Sequence, residues 1–296
     1  MGGDVTIAIL AGLGGMFGWG LADFFAKKAI DEIGDVPALV WGHLLGTALI
    51  CCLIAIDHLR GGGVALPATG IQWSAVALFG ALQALVYLLV YRGFAKGQVA
   101  LLAPLFASFA GIVALVSVVM GEPMNIWLLF SLLLTFGGVV ALNLDPGELR
   151  HRRISVTAVP GITEIAIATL LAAAWTLGWN RAVRGNDPLS YAAAMYAFMT
   201  ITLLAYSCVR RAERKIPRGR TWFSLALVGG CEVVAYVAIS WGYGATIHTS
   251  IVALVSSAFA LPTIVLARIF LHERTGRWRA GASMIIVVGI VLLSVR

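Results

Sequence analysis

Long apolar stretches separated by short polar connections run along the whole chain. Many of the stretches approach the roughly 20 residues that a helix needs to cross the hydrocarbon core of a bilayer. The connections, such as DEIGDVP and RGGGVALPATG, contain the Gly, Pro, Asn and charge clusters of loops. The pattern predicts an all-α, polytopic membrane protein with ten transmembrane helices, at residues 5–27, 37–56, 72–94, 98–121, 125–143, 161–184, 188–209, 221–243, 248–271 and 278–295.

The composition agrees with a bilayer environment. Of the 296 residues, 60% are hydrophobic and 12% are charged, about half the roughly 25% charged residues of a soluble domain. The first apolar segment follows Asp4 rather than a basic segment, which favours a retained helix over a signal peptide. The four cysteines lie in apolar segments without ligand-type spacing. We therefore expect neither disulfides, nor a metal site, nor a cofactor.

The basic residues predict an orientation in the membrane. With the N-terminus on a face named side one, four Lys or Arg residues flank side one and sixteen flank the opposite face, side two. Basic loops are retained in the cytoplasm. We expect side two to be cytoplasmic, both termini to lie outside, and the protein to reside in the inner or plasma membrane. The net charge of +7 then reflects topology and does not indicate nucleic-acid binding.

The two halves of the chain resemble each other. Residues 93–123 align with residues 244–274 at an offset of 151, which pairs Glu122 with Glu273 in expected structural roles at fourth-helix ends. Each half has five predicted helices, an odd number, so the second copy must be inverted in the membrane. Inverted repeats place a substrate site near the midplane and allow alternating access. We expect a first repeat, a cytoplasmic linker and a second repeat at 1–143, 144–160 and 161–296.

Two motifs recur at the fourth and fifth helices of the halves. They are LLAPLFASFAGIVALVSVVMGEP with LLFSLLLTFGGVVAL, and VALVSSAFALPTIVLARIFLHER with GASMIIVVGIVLLSV. Pro262 in the second motif predicts a kink. The motifs resemble the EamA-type permeases of the drug/metabolite transporter (DMT) superfamily, although His272 replaces the usual glycine before Glu273. The resemblance implies a secondary transporter, commonly an exporter of amino acids, nucleotide-type metabolites or drugs.

One acidic residue, Glu232, lies near the middle of the eighth predicted helix, with no Lys or Arg within ten residues. A charge at this depth costs at least ~2.5 kcal/mol and normally faces a cavity or a partner. At an offset of 149, Gln83 and Tyr87 of the third helix correspond to Glu232 and Tyr236. Residues four apart share a helix face, so each pair forms a polar stripe. The alternatives are that Gln83 bonds a neighbouring helix, the tyrosines only pack, and Glu232 stays protonated.

Three tryptophans occur midspan rather than at the membrane interfaces where tryptophan usually gathers. They are Trp19 in the first helix and Trp175 and Trp179 in the sixth, the equivalent helix of the other repeat. Either they pack, or they line a pocket. If they converge with Gln83, Tyr87, Glu232 and Tyr236, they form an aromatic cavity with one carboxylate, and aromatic faces attract cations. His43 in the second helix is a candidate, with Glu232, for proton coupling.

The sequence predicts a transporter rather than an enzyme, because it has no phosphate loop, zinc-type His pair or nucleophile–base set. The leading hypothesis is a secondary exporter of amine-bearing or cationic compounds in which substrate and proton compete for Glu232. The alternative is an exporter of neutral or aromatic amino acids, or of other metabolites, with Glu232 only as a proton site. A membrane enzyme using His43, Asp23 and Glu232 is a weaker hypothesis, and Asp23 is more simply predicted to pair with Lys27. The expected partners are a small molecule and the bilayer, for a monomer or a dimer.

Overall fold

The computed structural model describes residues 2–96, 102, 105–143, 160–210, 215–270 and 277–294. The regular elements in these ranges are all α-helices, because only helices and closed barrels satisfy their own backbone groups in lipid. Their bounds are α1 Gly2–Ile33, α2 Asp35–Leu59, α3 Gly70–Lys96, α4 Phe109–Val119, α5 Ile126–Asn143, α6 Ile162–Val183, α7 Pro188–Val209, α8 Arg220–Ala245, α9 Thr249–Ser257, α10 Ala260–Phe270 and α11 Arg277–Ser294.

Within the described ranges, seven helices are long and apolar enough to cross a bilayer, and one of them runs from Thr249 to Leu266 through α9 and α10. Two shorter apolar helices, Leu105–Val119 and Ile126–Leu142, lie at the fourth and fifth predicted spans. The all-α, polytopic fold is therefore confirmed. Most of the predicted linker, together with His272 and Glu273, lies outside the described residues.

The fourth and ninth predicted spans are interrupted at equivalent points of the two repeats. In the first repeat, α4 begins after Ser108, and in the second, α9 ends before Ala258 and Phe259. Ser108 corresponds to Phe259 at the offset of 151. Pro262 accounts for the second break, because a proline ring clashes with the carbonyl four residues earlier, here that of Ala258. The predicted kink is thus a break between two helices.

Small residues bring the central helices unusually close together. α1 and α2 both pack against α8, and a Cβ added to Gly229 would lie 2.5 Å from the Gly42 carbonyl oxygen and 2.6 Å from the Gly46 nitrogen. Such small-residue contacts are the usual means by which membrane helices approach backbone to backbone. Two helices of the first repeat therefore come against one helix of the second at mid-length.

We expect Gly229→Ala to lower the stability of the folded protein, because its methyl group would meet backbone atoms that cannot move aside. Overpacking of this kind costs about 1–3 kcal/mol. Gly230→Ala is the matched control, since its Cβ would meet only Leu49 at 3.6 Å and alanine is the better helix former. Thermal unfolding in detergent should show a loss for the first variant and none for the second. Equal melting of both variants would contradict the close approach of α2 and α8.

Candidate functional site

Glu232 on α8 is held by side chains from two neighbouring helices. Tyr196 of α7 donates its hydroxyl to Glu232 Oε2 at 2.7 Å, and His43 Nε2 of α2 lies 3.3 Å from the same oxygen. His43 is fully buried and Glu232 is only 4% exposed. Glu232 has no basic residue close to it on α8. Its basic partner is His43, which lies on a helix of the other repeat.

The other nitrogen of His43 determines the protonation of this pair. Nδ1 lies 2.8 Å from the carbonyl oxygen of Leu39, which can only accept, so we assign a proton to Nδ1. A neutral imidazole then turns the lone pair of Nε2 towards Glu232 Oε2. The contact is favourable only when one further proton sits on Nε2 or on the carboxyl group. A single proton on Nε2 or on the carboxyl group would therefore join His43 and Glu232 in one hydrogen bond.

Aromatic rings surround the pair. His43 stacks on Tyr196 with ring centroids 5.2 Å apart and planes at 15°, and it meets Tyr87 edge-on at 5.6 Å. Tyr236 packs edge-on against Tyr196 at 5.6 Å. Its hydroxyl accepts a hydrogen bond from Gln83 Nε2 at 3.0 Å and donates to the Tyr87 hydroxyl at 3.4 Å. The two predicted polar stripes therefore face each other.

The midspan tryptophans extend the same cluster. Trp19 packs edge-on against Tyr236 at 5.6 Å, and Trp175 lies 6.1 Å from that ring. Trp179 stacks on Trp175 at 5.9 Å and donates its indole N–H to Ser240 at 2.9 Å. The structure thus brings all the predicted site residues into one connected group: Trp19, His43, Gln83, Tyr87, Trp175, Trp179, Glu232 and Tyr236. Trp179 joins the group through its stacking on Trp175.

Sequence reasoning missed Tyr196, although a signal was present. At an offset of 153, Tyr196 corresponds to His43 and Thr200 to Thr47, and the hydroxyls of these two threonines lie 2.8 Å apart. Gly46 provides room for the tyrosine, because a Cβ there would lie 2.5 Å from the Tyr196 hydroxyl. The offset of 151, which pairs Pro37 with Pro188, places Ala194 opposite His43 instead, so the residue is identified only when these two helices are aligned with a shift of two positions.

Three buried polar atoms of the cluster make no hydrogen bond within the described part of the chain. They are Trp19 Nε1, His43 Nε2 and Gln83 Oε1. Buried polar atoms are nearly always bonded in folded proteins. His43 Nε2 faces Glu232 Oε2 at 3.3 Å. The Trp19 Nε1 donor and the Gln83 Oε1 acceptor are therefore the two atoms open to water or a substrate beside Tyr236.

The predicted ion pair of Asp23 with Lys27 is wrong. Lys27 lies 4.0 Å from Asp31, four residues further along α1, and both side chains of this pair are exposed. Two acids at i,i+4 spacing compete for Lys27, and it pairs with Asp31 although an acid that precedes the lysine is the better placed in an isolated helix. Asp23 is left exposed, with no hydrogen bond or ion pair to any other described residue.

A second buried His–Glu pair lies near the end of the bundle that contains the start of α1. His248 Nδ1 is 3.6 Å from Glu122 Oε1, and both side chains are 3% exposed. Glu122 also accepts from the Ser250 backbone N–H at 3.1 Å and from the Ser250 hydroxyl. Glu122 follows α4 and Ser250 begins α9, so this contact joins the equivalent helices of the two repeats, in keeping with a structural role.

Comparison with known proteins identifies the family. The profile of the EamA-like transporter family matches residues 6–144 and residues 159–295. The chain belongs to the EamA-like transporter family. It is accordingly a multi-pass membrane protein of a family that transports small molecules, and the two matched ranges show that the EamA unit occurs twice.

Comparison with curated proteins gives no match. One solved structure, described only as "Crystal structure of protein", superimposes with a TM-score of 0.77 and 18% sequence identity. The match covers 97% of this chain and 98% of that chain. At this level of identity the similarity establishes the shared fold of the EamA protein.

We expect Glu122→Ala to destabilise the folded EamA protein. The substitution leaves the buried Ser250 N–H and hydroxyl and His248 without their acceptor, and an orphaned buried donor costs about 1–3 kcal/mol. Glu122→Gln retains one acceptor oxygen and should lose less. Unfolding in detergent against denaturant would measure both variants. Wild-type stability of Glu122→Ala would show that this contact does not hold the two repeats together.

Proposed function

We propose that this EamA protein is a secondary transporter that exchanges one proton for an amine-bearing or cationic substrate at the His43–Glu232 pair, and that it exports the substrate by alternating access. The observation that supports the proposal is the buried contact of 3.3 Å between His43 Nε2 and Glu232 Oε2, which carries one exchangeable proton. The surrounding rings of Trp19, Tyr87 and Tyr236 suit a cation.

Exchange follows from the free-energy cost of an unbalanced charge in a buried site. In the proton-loaded state, imidazolium and carboxylate neutralise each other. An arriving ammonium group takes the place of the imidazolium charge beside Glu232, and repulsion between the two cations expels the proton from His43 Nε2. Neither state leaves the carboxylate unpaired within the membrane, where an isolated charge is expensive. Proton and substrate therefore exclude each other, which is the requirement for antiport.

The location of the pair suits alternating access. His43 belongs to α2 of the first repeat, whereas Glu232 and Tyr196 belong to α8 and α7 of the second. Rocking of one inverted repeat against the other opens a midplane site to each side in turn. The same motion would change the separation of His43 and Glu232, so that proton release and exposure of the site are linked.

The second candidate function is transport of a neutral or aromatic compound with Glu232 as a proton site only. The specific observation that favours it is that Tyr196 and His43 already occupy Glu232 Oε2. A carboxylate satisfied within the protein needs no cation from the substrate. A neutral aromatic compound would then contact the tryptophan and tyrosine rings.

We expect binding of phenethylamine hydrochloride to release about one proton per molecule bound to the purified wild type in weakly buffered detergent. Glu232→Gln and His43→Gln should release none, because neither retains the shared proton. Glu122→Gln is the matched control, since it alters the other buried His–Glu pair and leaves this one intact. A pH-sensitive dye would measure release, and calorimetry would measure binding.

The neutral isostere 2-phenylethanol separates the two candidate functions. Exchange at Glu232 predicts that it binds far more weakly than phenethylamine and releases no proton. Equal binding of the alcohol and the amine, unchanged in Glu232→Gln, would contradict recognition of the ammonium group and support the second function.

We expect an acidic liposome lumen to drive uptake of phenethyltrimethylammonium by the wild type, and Glu232→Gln to abolish that uptake. The quaternary probe is always charged, so it cannot accumulate by diffusion of a neutral form. Tyr196→Phe keeps the ring but removes the hydrogen bond that the tyrosine donates to the carboxylate, so we expect slower uptake of the quaternary probe than in the wild type. Uptake at the wild-type rate would argue against control of Glu232 by Tyr196.

A further inference from the structure

Asp23 lies on the inward face of α1. The outward face carries Phe17 and Leu21, which line a shallow apolar crevice between α1 and α8 together with Val234. Phe17 is 50% exposed on this outer surface. A helix turns about 100° per residue, so Asp23 is about 200° round the helix from Leu21. Its exposed carboxylate therefore faces the interior of the transporter and not the lipid.

The packing of α1 on α8 sets the depth of Asp23. A Cβ on Gly18 would lie 2.6 Å from the Cys231 carbonyl oxygen and 2.7 Å from Ala235 Cβ. The two helices run antiparallel, so positions beyond Gly18 on α1 face positions before Cys231 on α8. Asp23 therefore lies about one turn closer to side two than Glu232, an axial offset of ~6 Å at 1.5 Å per residue.

Asp23 and Glu232 lie within range of a charge–charge interaction. The Asp23 carboxyl is similarly close to the Tyr91 hydroxyl of α3. Because Lys27 pairs with Asp31, Asp23 has no ion-pair partner within the described ranges. The site thus has one carboxylate with a titratable partner, Glu232 with its histidine, and a second carboxylate without one.

Gln83 gives an independent indication of a donor-rich ligand. The hydroxyl of Tyr236 donates to Tyr87, so it accepts from Gln83 Nε2 and leaves Gln83 Oε1 as a free acceptor. Gln83 is only 9% exposed, and an unbonded acceptor at that burial costs free energy. A ligand N–H group beside Tyr236 would satisfy it.

We propose that the substrates of this transporter carry two cationic amino groups, one held by Glu232 with Gln83 and the other held by Asp23. The hydrocarbon spacer between them would lie across the rings of Trp19 and Tyr236. This inference rests on the proposed exchange at Glu232. An axial offset of ~6 Å corresponds to a spacer of about four to six carbons, since a staggered chain of ~1.5 Å bonds advances ~1.3 Å per bond.

The test compares α,ω-diamines of two to ten carbons with n-alkylamines of the same length, as competitors of phenethyltrimethylammonium uptake in liposomes. In the wild type we expect diamines of intermediate length to inhibit at least tenfold more strongly than the matched monoamines. Asp23→Asn should remove this advantage and reduce inhibition by monoamines far less than inhibition by diamines. Asp31→Asn is the control, because it removes an acid of the same helix that pairs with Lys27 at the surface.

A second variant keeps the test decisive if Asp23→Asn folds poorly. Asp23→Glu retains the charge on a longer side chain, so the preferred diamine should become shorter by about one carbon. Equal inhibition by diamines and monoamines in the wild type, or an equal loss of both in Asp23→Asn, would overturn two-point recognition while leaving exchange at Glu232 intact. Failure of the proposed exchange would look different: Glu232→Gln would transport the quaternary probe as the wild type does.

Discussion

The contact between His43 and Glu232 is the constraint on which the rest of the site depends. An unpaired carboxylate at mid-membrane is expensive, so the fold must bring a base to Glu232 from another helix. Neighbouring groups hold the two side chains in place. The Leu39 carbonyl sets the tautomer of the His43 ring, and Tyr196 stacks on the imidazole and donates a hydrogen bond to the carboxylate. The glycines of α2 and α8 then follow as a geometric necessity, because larger side chains would hold His43 and Glu232 apart.

The inverted repeat supplies symmetric positions that have acquired different chemistry. His43 of one repeat corresponds to Tyr196 of the other, and Gln83 corresponds to Glu232. At each of these pairs one member can carry charge and the other is neutral at ordinary pH. A fully symmetric site would hold two carboxylates and two imidazoles in one small volume, with strong repulsion between like charges. Divergence of the repeats leaves one imidazole beside one carboxylate.

The fold was largely predictable from the sequence, because hydropathy, loop residues and internal similarity each report on long segments.

The residues of the site were predictable in part, because some of them stand out in the sequence. Glu232, Gln83 and the midspan tryptophans are conspicuous as polar or aromatic residues in apolar helices. Most of them lie near the middle of their helices, and therefore at a similar depth in the membrane. Pairing across helices was harder: the partners of Glu232 depend on how α2 and α7 rotate about their axes, which no local pattern encodes. The Lys27 pairing failed because two acids at equal spacing competed for one lysine.

The two buried His–Glu pairs differ in a way that bears on their roles. Glu122 accepts two hydrogen bonds from Ser250 in addition to its contact with His248, so its carboxylate is satisfied by neutral donors whatever the state of the histidine. Among the described residues Glu232 has a single neutral donor, Tyr196, and the same oxygen also faces His43. Its charge balance therefore changes whenever the shared proton leaves. The pair at the aromatic cluster also lies beside Trp19 Nε1 and Gln83 Oε1, two buried polar atoms without a hydrogen bond among the described residues, and a bound cation exchanged for a proton would need such neighbours.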